Sequence, residues 1–167
     1  MPQTNKEAGL MEPDVKTIES LENIKKLDTL NEKLKQIGKD THFLAETCDF
    51  ILKDLESNDR KEIDNELNQL FGNIHYYMFY LRGLVTECPE PLKHSMVLTM
   101  DEECGTLSFI KKLDTLAEKI EQIGMEVHFW ISECDYILNY DEENKVKTYP
   151  ILKNIVSYMD YLIELET

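Results

Sequence analysis

A stretch of twenty-nine residues occurs twice in this chain. Ile24 to Leu52 aligns without a gap on Ile110 to Leu138, at an offset of 86, and 18 of the 29 positions are identical. A chain that repeats a segment must fold each copy alike and then find one packing that serves both, so the duplication limits the fold more than any single motif does. A second shared block follows at an offset of 81, where Asn73 to Leu81 reads NIHYYMFYL and Asn154 to Leu162 reads NIVSYMDYL. The slip of five residues falls between the blocks, where a connection tolerates insertion.

Apolar residues in the first block fall at Leu27, Leu30, Leu34, Ile37, Leu44, Cys48, Ile51 and Leu55, with Thr41 completing a 3,4 spacing. That spacing predicts one long helix with a coiled-coil-like seam. The second copy repeats the seam through Leu113, Leu116, Ile120, Ile123, Val127, Trp130, Cys134 and Ile137. The later blocks continue it through Ile63, Leu67, Leu70, Ile74, Tyr77, Leu81 and Leu84, and through Ile151, Ile155, Tyr158, Leu162 and Leu165. Each copy therefore reads as a helical hairpin. Asp59 with Glu62 fits a capping box after the first turn, and Pro150 fits only the first turn of the last helix.

The expected fold is all-α: an internally duplicated helical hairpin, four main helices packed as a bundle, with stacked helical hairpins as the alternative. Residues 1–14 read as a flexible N-terminus, 15–87 as the first hairpin repeat, 88–105 as a linker and 106–167 as the second repeat, both repeats sharing one core. An 18-residue linker can span roughly 60 Å, so it leaves the relative orientation of the copies open.

Hydrophobic residues make up 42% and charged residues 31%, the balance of a soluble globular chain. The net charge of −15 is carried by both halves: eighteen acids against twelve bases over residues 1–99, and fifteen against six over 100–167. Direct nucleic-acid binding and docking on an anionic membrane are disfavoured, because both draw on lysine and arginine. Met1 to Met11 is polar and lacks the pattern of a secretory signal, and no apolar run is long enough to span a bilayer. A cytoplasmic location is expected, with the nucleus as the alternative. Cys48, Cys88, Cys104 and Cys134 form no Cys-x-x-Cys pair and read as reduced thiols, two of them at seam positions.

Gly38 and Gly124 sit inside the predicted long helices, where glycine costs about 1 kcal/mol relative to alanine. Close packing of the chain's own neighbouring helix is the reading favoured over a partner's backbone. His42 with Asp49, and His128 with Asp135, are the weak metal candidates, but seven residues is roughly 10.5 Å along a helix, too far for one ion to bridge. Glu46 could join His42, yet Ser132 replaces it in the second copy. Metal: none, and cofactor: none, are therefore the expectations. No phosphate loop, nucleophile elbow or zinc-finger spacing is present, so no enzyme is expected.

Aromatic residues carry the remaining signal. Phe43 and Phe50, matched by Phe129 and Tyr136, form a stripe flanking the seam, and the run His75, Tyr76, Tyr77, Met78, Phe79 and Tyr80 is apolar or aromatic almost all round the second helix of the first hairpin. In the second copy Tyr76 becomes Ser157 and Phe79 becomes Asp160, which points to an intermolecular contact on the first hairpin. The expected function is a non-catalytic protein–protein interaction module, an acidic helical adaptor or inhibitor that binds another protein, one of basic character by charge. A homodimer through the first hairpin is the other contact considered. The alternatives are an acidic nucleic-acid-mimicking decoy of the phage anti-defence type, supported by charge alone, and a metal- or ligand-binding helical bundle.

Overall fold

The structure is a computed structural model that describes residues 10–53, 60–85 and 107–165. These described residues are all-helical, with six α-helices among them: α1 (Val15–Lys25), α2 (Leu30–Lys53), α3 (Arg60–Gly83), α4 (Leu107–Lys111), α5 (Leu116–Tyr140) and α6 (Thr148–Glu164). A 3₁₀ turn, Glu142–Lys147, joins α5 to α6, and Pro150 falls in the first turn of α6, where its missing N–H breaks no helical bond. Helices α2 and α3 form one hairpin and α5 and α6 the other, and the two hairpins contact each other. Asp59 of the expected capping box, the linker and Cys88 and Cys104 lie outside the described residues.

The long helix expected from Ile24 onward is broken in both copies. α1 ends at Lys25 and α2 starts at Leu30; α4 ends at Lys111 and α5 starts at Leu116. The break is made by a capping box. The Thr29 hydroxyl accepts from the Glu32 N–H at 3.1 Å while the Glu32 carboxylate accepts from the Thr29 N–H at 3.1 Å, and Thr115 with Glu118 repeats the exchange at 3.1 and 3.0 Å. Each box satisfies donors that a helix start leaves open.

The most extensive packing is between the copies, α2 on α6 and α3 on α5, with lighter contact inside each hairpin. Both inter-copy pairs run antiparallel: His42 meets Asp160 and Leu52 meets Tyr149 on one side, and Arg82 meets Glu121 and Asn68 meets Asn139 on the other. Gly38 and Gly124 each lie at a tight contact of one of these pairs. A Cβ on Gly38 would stand 2.6 Å from Ile163 Cγ1 and 3.1 Å from the Met159 carbonyl oxygen. On Gly124 it would stand 2.5 Å from Arg82 Cγ and 3.5 Å from the Met78 carbonyl oxygen. Met78 and Arg82 are the repeat counterparts of Met159 and Ile163, so one crossing is built twice.

One apolar core runs through both hairpins, and its line differs from the expected seam. In α2 burial passes from Leu34 and Ile37 through Thr41 to Ala45, Cys48 and Leu52, leaving Leu44 and Ile51 half-buried. α5 follows the same path to Ile131 and Leu138, with Ile137 of the expected seam buried as well. A straight helix has 3.6 residues per turn, so it drifts off a 3.5-residue seam by about 20° per heptad, and the core moves one position along.

Leu10 to Asp14, which the sequence places in a flexible terminus, lies against α3. Gln69 Nε2 donates to the Glu12 carbonyl oxygen at 2.8 Å, the Asp14 N–H donates to Asn73 Oδ1 at 3.1 Å, and Asn73 Nδ2 returns a bond to Asp14 Oδ2 at 3.2 Å. The Met11 carbonyl crosses Gly72 so closely that a side chain there has no room. Asp14 then caps α1 by accepting from the Thr17 N–H. Periodicity carries no signal for such a segment, since its anchors are polar.

Candidate functional site

Each hairpin is tied together by a polar bridge, part-buried in the first copy and buried in the second. In the first, the Tyr77 hydroxyl of α3 donates to Asp40 Oδ2 of α2 at 2.8 Å, and Gln36 Nε2 donates to the same carboxylate at 2.8 Å. In the second, Tyr158 donates to Glu126, and Gln122 Nε2 donates to it at 2.6 Å. All three members are repeat counterparts. Burial, together with the carboxylate each faces, pushes both phenols up, and burial raises Glu126 despite its two hydrogen bonds. These bridges fix the register of the hairpins, and their groups are engaged internally.

The two copies differ on the faces where α3 meets α5 and where α6 meets α2. Between α2 and α6, His42 Nδ1 meets Asp160 Oδ1 at 2.9 Å and His42 Nε2 meets Glu46 Oε1 at 3.2 Å. Both ring nitrogens are committed to carboxylates on opposite edges of the ring, so His42 and those two groups do not converge on one ion. Asp49 faces Lys53 Nζ at 2.9 Å, away from His42.

Between α3 and α5 the same level holds a histidine pair. His75 Nε2 and His128 Nε2 are 3.0 Å apart, with the rings nearly perpendicular at 88°. Val156 stands at the place of His75 in the other copy, and Ser132 at the place of Glu46, donating to the His128 carbonyl oxygen at 3.0 Å. Burial lowers the pKa of both rings, and the neighbouring Arg82 charge adds to it; His128, which also faces His75, is brought down to about 3. The pair is neutral at neutral pH, one Nε2–H donating to the other Nε2. His128 Nδ1 is buried without a hydrogen-bond partner.

These histidines line a groove of about 460 Å³ whose other walls are Leu10 to Pro13, Tyr76, Phe79 and Ser132. Tyr76 is 39% and Phe79 50% exposed, large apolar surfaces held at its mouth. Arg82 of α3 holds Glu121 of α5 in a bidentate pair at 3.1 and 3.0 Å.

The remaining residues singled out from the sequence are dispersed. Phe43 and Phe50 are 66% and 72% exposed on the outer face of α2, and Tyr136 stacks on Tyr140 at 5.5 Å on the outer face of α5. Phe129 is half-buried; Tyr80 is half-buried under Lys25, as Tyr161 is under Lys111. Asp135 is buried beside Asn139, and burial raises its carboxyl to about 6. Cys48 and Cys134 are buried free thiols, pushed up by burial. Among the described residues no three His, Cys, Asp or Glu side chains gather as a metal cluster, and no helix is long and apolar enough to cross a membrane. Sequence reasoning placed His75 in an aromatic run but did not bring it to His128. Its signal was its replacement by Val156 in a block otherwise alike.

No protein-family model matches this chain, and neither a curated protein nor a solved structure matches it.

Proposed function

We propose that this protein is a non-catalytic protein–protein interaction module, an acidic helical adaptor or inhibitor that docks through the α3–α5 groove. The observation that carries the reading is the asymmetry between otherwise equivalent faces: Tyr76 and Phe79 project at the groove mouth where the other copy has Ser157 and the paired Asp160. Exposed aromatic side chains beside a concave wall are the composition of an interface core. The occupant is an apolar or aromatic side chain borne on a basic segment of another protein. Its charge is argued from the net −15 of the chain and from Glu12 on the groove wall.

The ring of contacts, α2 with α3 and α6, α5 with α3 and α6, supports reading the architecture as a single four-helix bundle. Such a frame would hold the groove without rearrangement on binding. The test is affinity capture from the protein's own source lysate, with nuclease present, using the parent chain and Phe79→Asp in parallel. A stoichiometric partner lost on Phe79→Asp and retained by Phe43→Asp supports the reading. A partner indifferent to Phe79→Asp contradicts it, and a doubled solution mass abolished by Phe79→Asp would make the occupant a second copy.

A further inference from the structure

We propose that Tyr136 and Tyr140, at the C-terminal end of α5, form an open aromatic cleft that receives an arginine side chain from a basic segment of a partner protein. The inference does not rest on the groove reading, since neither tyrosine lines that groove.

The two rings stand about one turn apart on α5. Their centroids are 5.5 Å apart, their planes are inclined at 38°, and they are 55% and 65% exposed. Three other tyrosines show what such rings attract in this fold. Lys25 lies over Tyr80 at 5.8 Å, Lys53 over Tyr149 at 5.9 Å and Lys111 over Tyr161 at 5.4 Å, each cation facing a half-buried ring. Tyr136 and Tyr140 are open to solvent, and among the described residues no lysine or arginine lies over either ring.

The charge around the pair is negative. From Glu121 to Asn144 the sequence carries seven acids and neither lysine nor arginine. Glu133 is exposed three residues before Tyr136 and seven before Tyr140, so the three share one face of the helix. Glu143 is exposed just past the end of α5. The last turn of α5 holds no basic residue, whereas that of α2 holds Lys53, so the negative end of the α5 dipole adds to the attraction for a cation. Lys53 Nζ engages Asp49 at 2.9 Å, so the first copy supplies its own cation where the second has Asn139. Arginine suits the place better than lysine, because a planar guanidinium lies flat on a ring while its edge donates to a carboxylate.

The experiment titrates the full chain with capped hexa-arginine and hexalysine peptides at physiological ionic strength, read by calorimetry and by tyrosine-ring NMR. The Tyr136 and Tyr140 rings should shift with hexa-arginine, and hexalysine should bind more weakly. Tyr136→Leu with Tyr140→Leu, which keeps the net charge, should weaken hexa-arginine by about fivefold or more. Tyr136→Phe with Tyr140→Phe, which keeps both ring faces, should hold the parent affinity, as should Phe43→Leu on α2. Equal affinity of the parent and the double-leucine variant would mean that net charge alone draws the peptide, and it overturns the assignment. Equal affinity for hexalysine, or no shift at either ring into the millimolar range, overturns it too. Should the double-leucine variant fail to fold by circular dichroism, the ring shifts of the parent and the preference for hexa-arginine decide.

Discussion

Tyr158 donates its phenolic hydrogen to the carboxylate of Glu126, a residue with no solvent-exposed surface, and so joins α6 to α5. Removing the donor leaves a buried carboxylate held by Gln122 alone. Tyr158→Phe is expected to cost about 1–3 kcal/mol at pH 7. Tyr77→Phe, which frees the more accessible Asp40, should cost less. Urea unfolding of both variants checks the order. The Tyr158→Phe penalty should shrink in acid, where a protonated Glu126 no longer needs the bond.

Asp135 sets a second pH dependence. Its folded carboxyl titrates at about 6, above its ordinary value of 3.8, because burial disfavours the charge. Its contribution to stability is therefore complete below about pH 4 and is lost as pH rises through 6. Asp135→Asn keeps an acceptor for Asn139 and removes the charge, so it should stabilise the fold by about 2–3 kcal/mol at pH 7.5 and by little at pH 4. Thermal unfolding at the two pH values separates this from a uniform change.

Gly38 opposes two effects of known size. Alanine favours the helix by about 1 kcal/mol, but its Cβ meets Ile163 Cγ1 at 2.6 Å and a Met159 carbonyl that cannot turn away without breaking α6. Gly38→Ala should destabilise by about 1–2 kcal/mol net, and Ile163→Ala in the same chain should recover part of the loss. Additive effects of the two substitutions in denaturant melts would place the clash elsewhere.

Gly72 governs the segment on α3. Because the Met11 carbonyl occupies the space a side chain would take, Gly72→Ala should lift Leu10 to Pro13 off the helix. Hydrogen exchange should quicken at the Asp14 amide, which donates to Asn73, while amides in the core of α5 stay protected.

Much of this was legible in the sequence. The duplication gave the two hairpins, and the positions of Gly38 and Gly124 gave the close crossings, since glycine inside a helix needs a reason. The T-x-x-E signature at Thr29 and Thr115 was also there to be read, but Leu27 and Leu30 kept the apolar spacing alive across the break and masked it. The Gln, Asp or Glu, and Tyr bridges were hidden for a different reason. Gln36 and Asp40 lie one turn apart on α2, but Tyr77 belongs to a separate block with a different offset, so only the packing of α3 on α2 brings it to them. The pairing of His75 with His128 spans the two copies and depends on which helices become neighbours, a relationship that repeats within one chain do not encode.

The most direct test of the account places a photo-crosslinking amino acid at position 79 in one chain and at position 160 in another, both expressed in the source cells. These positions are repeat counterparts on the same bundle. If the α3–α5 groove is the docking surface, one partner protein is captured from position 79 and lost when Tyr76→Ser is added, while position 160 captures none of it. Equal capture from both positions, or capture from position 160 alone, would contradict the assignment of function to this groove.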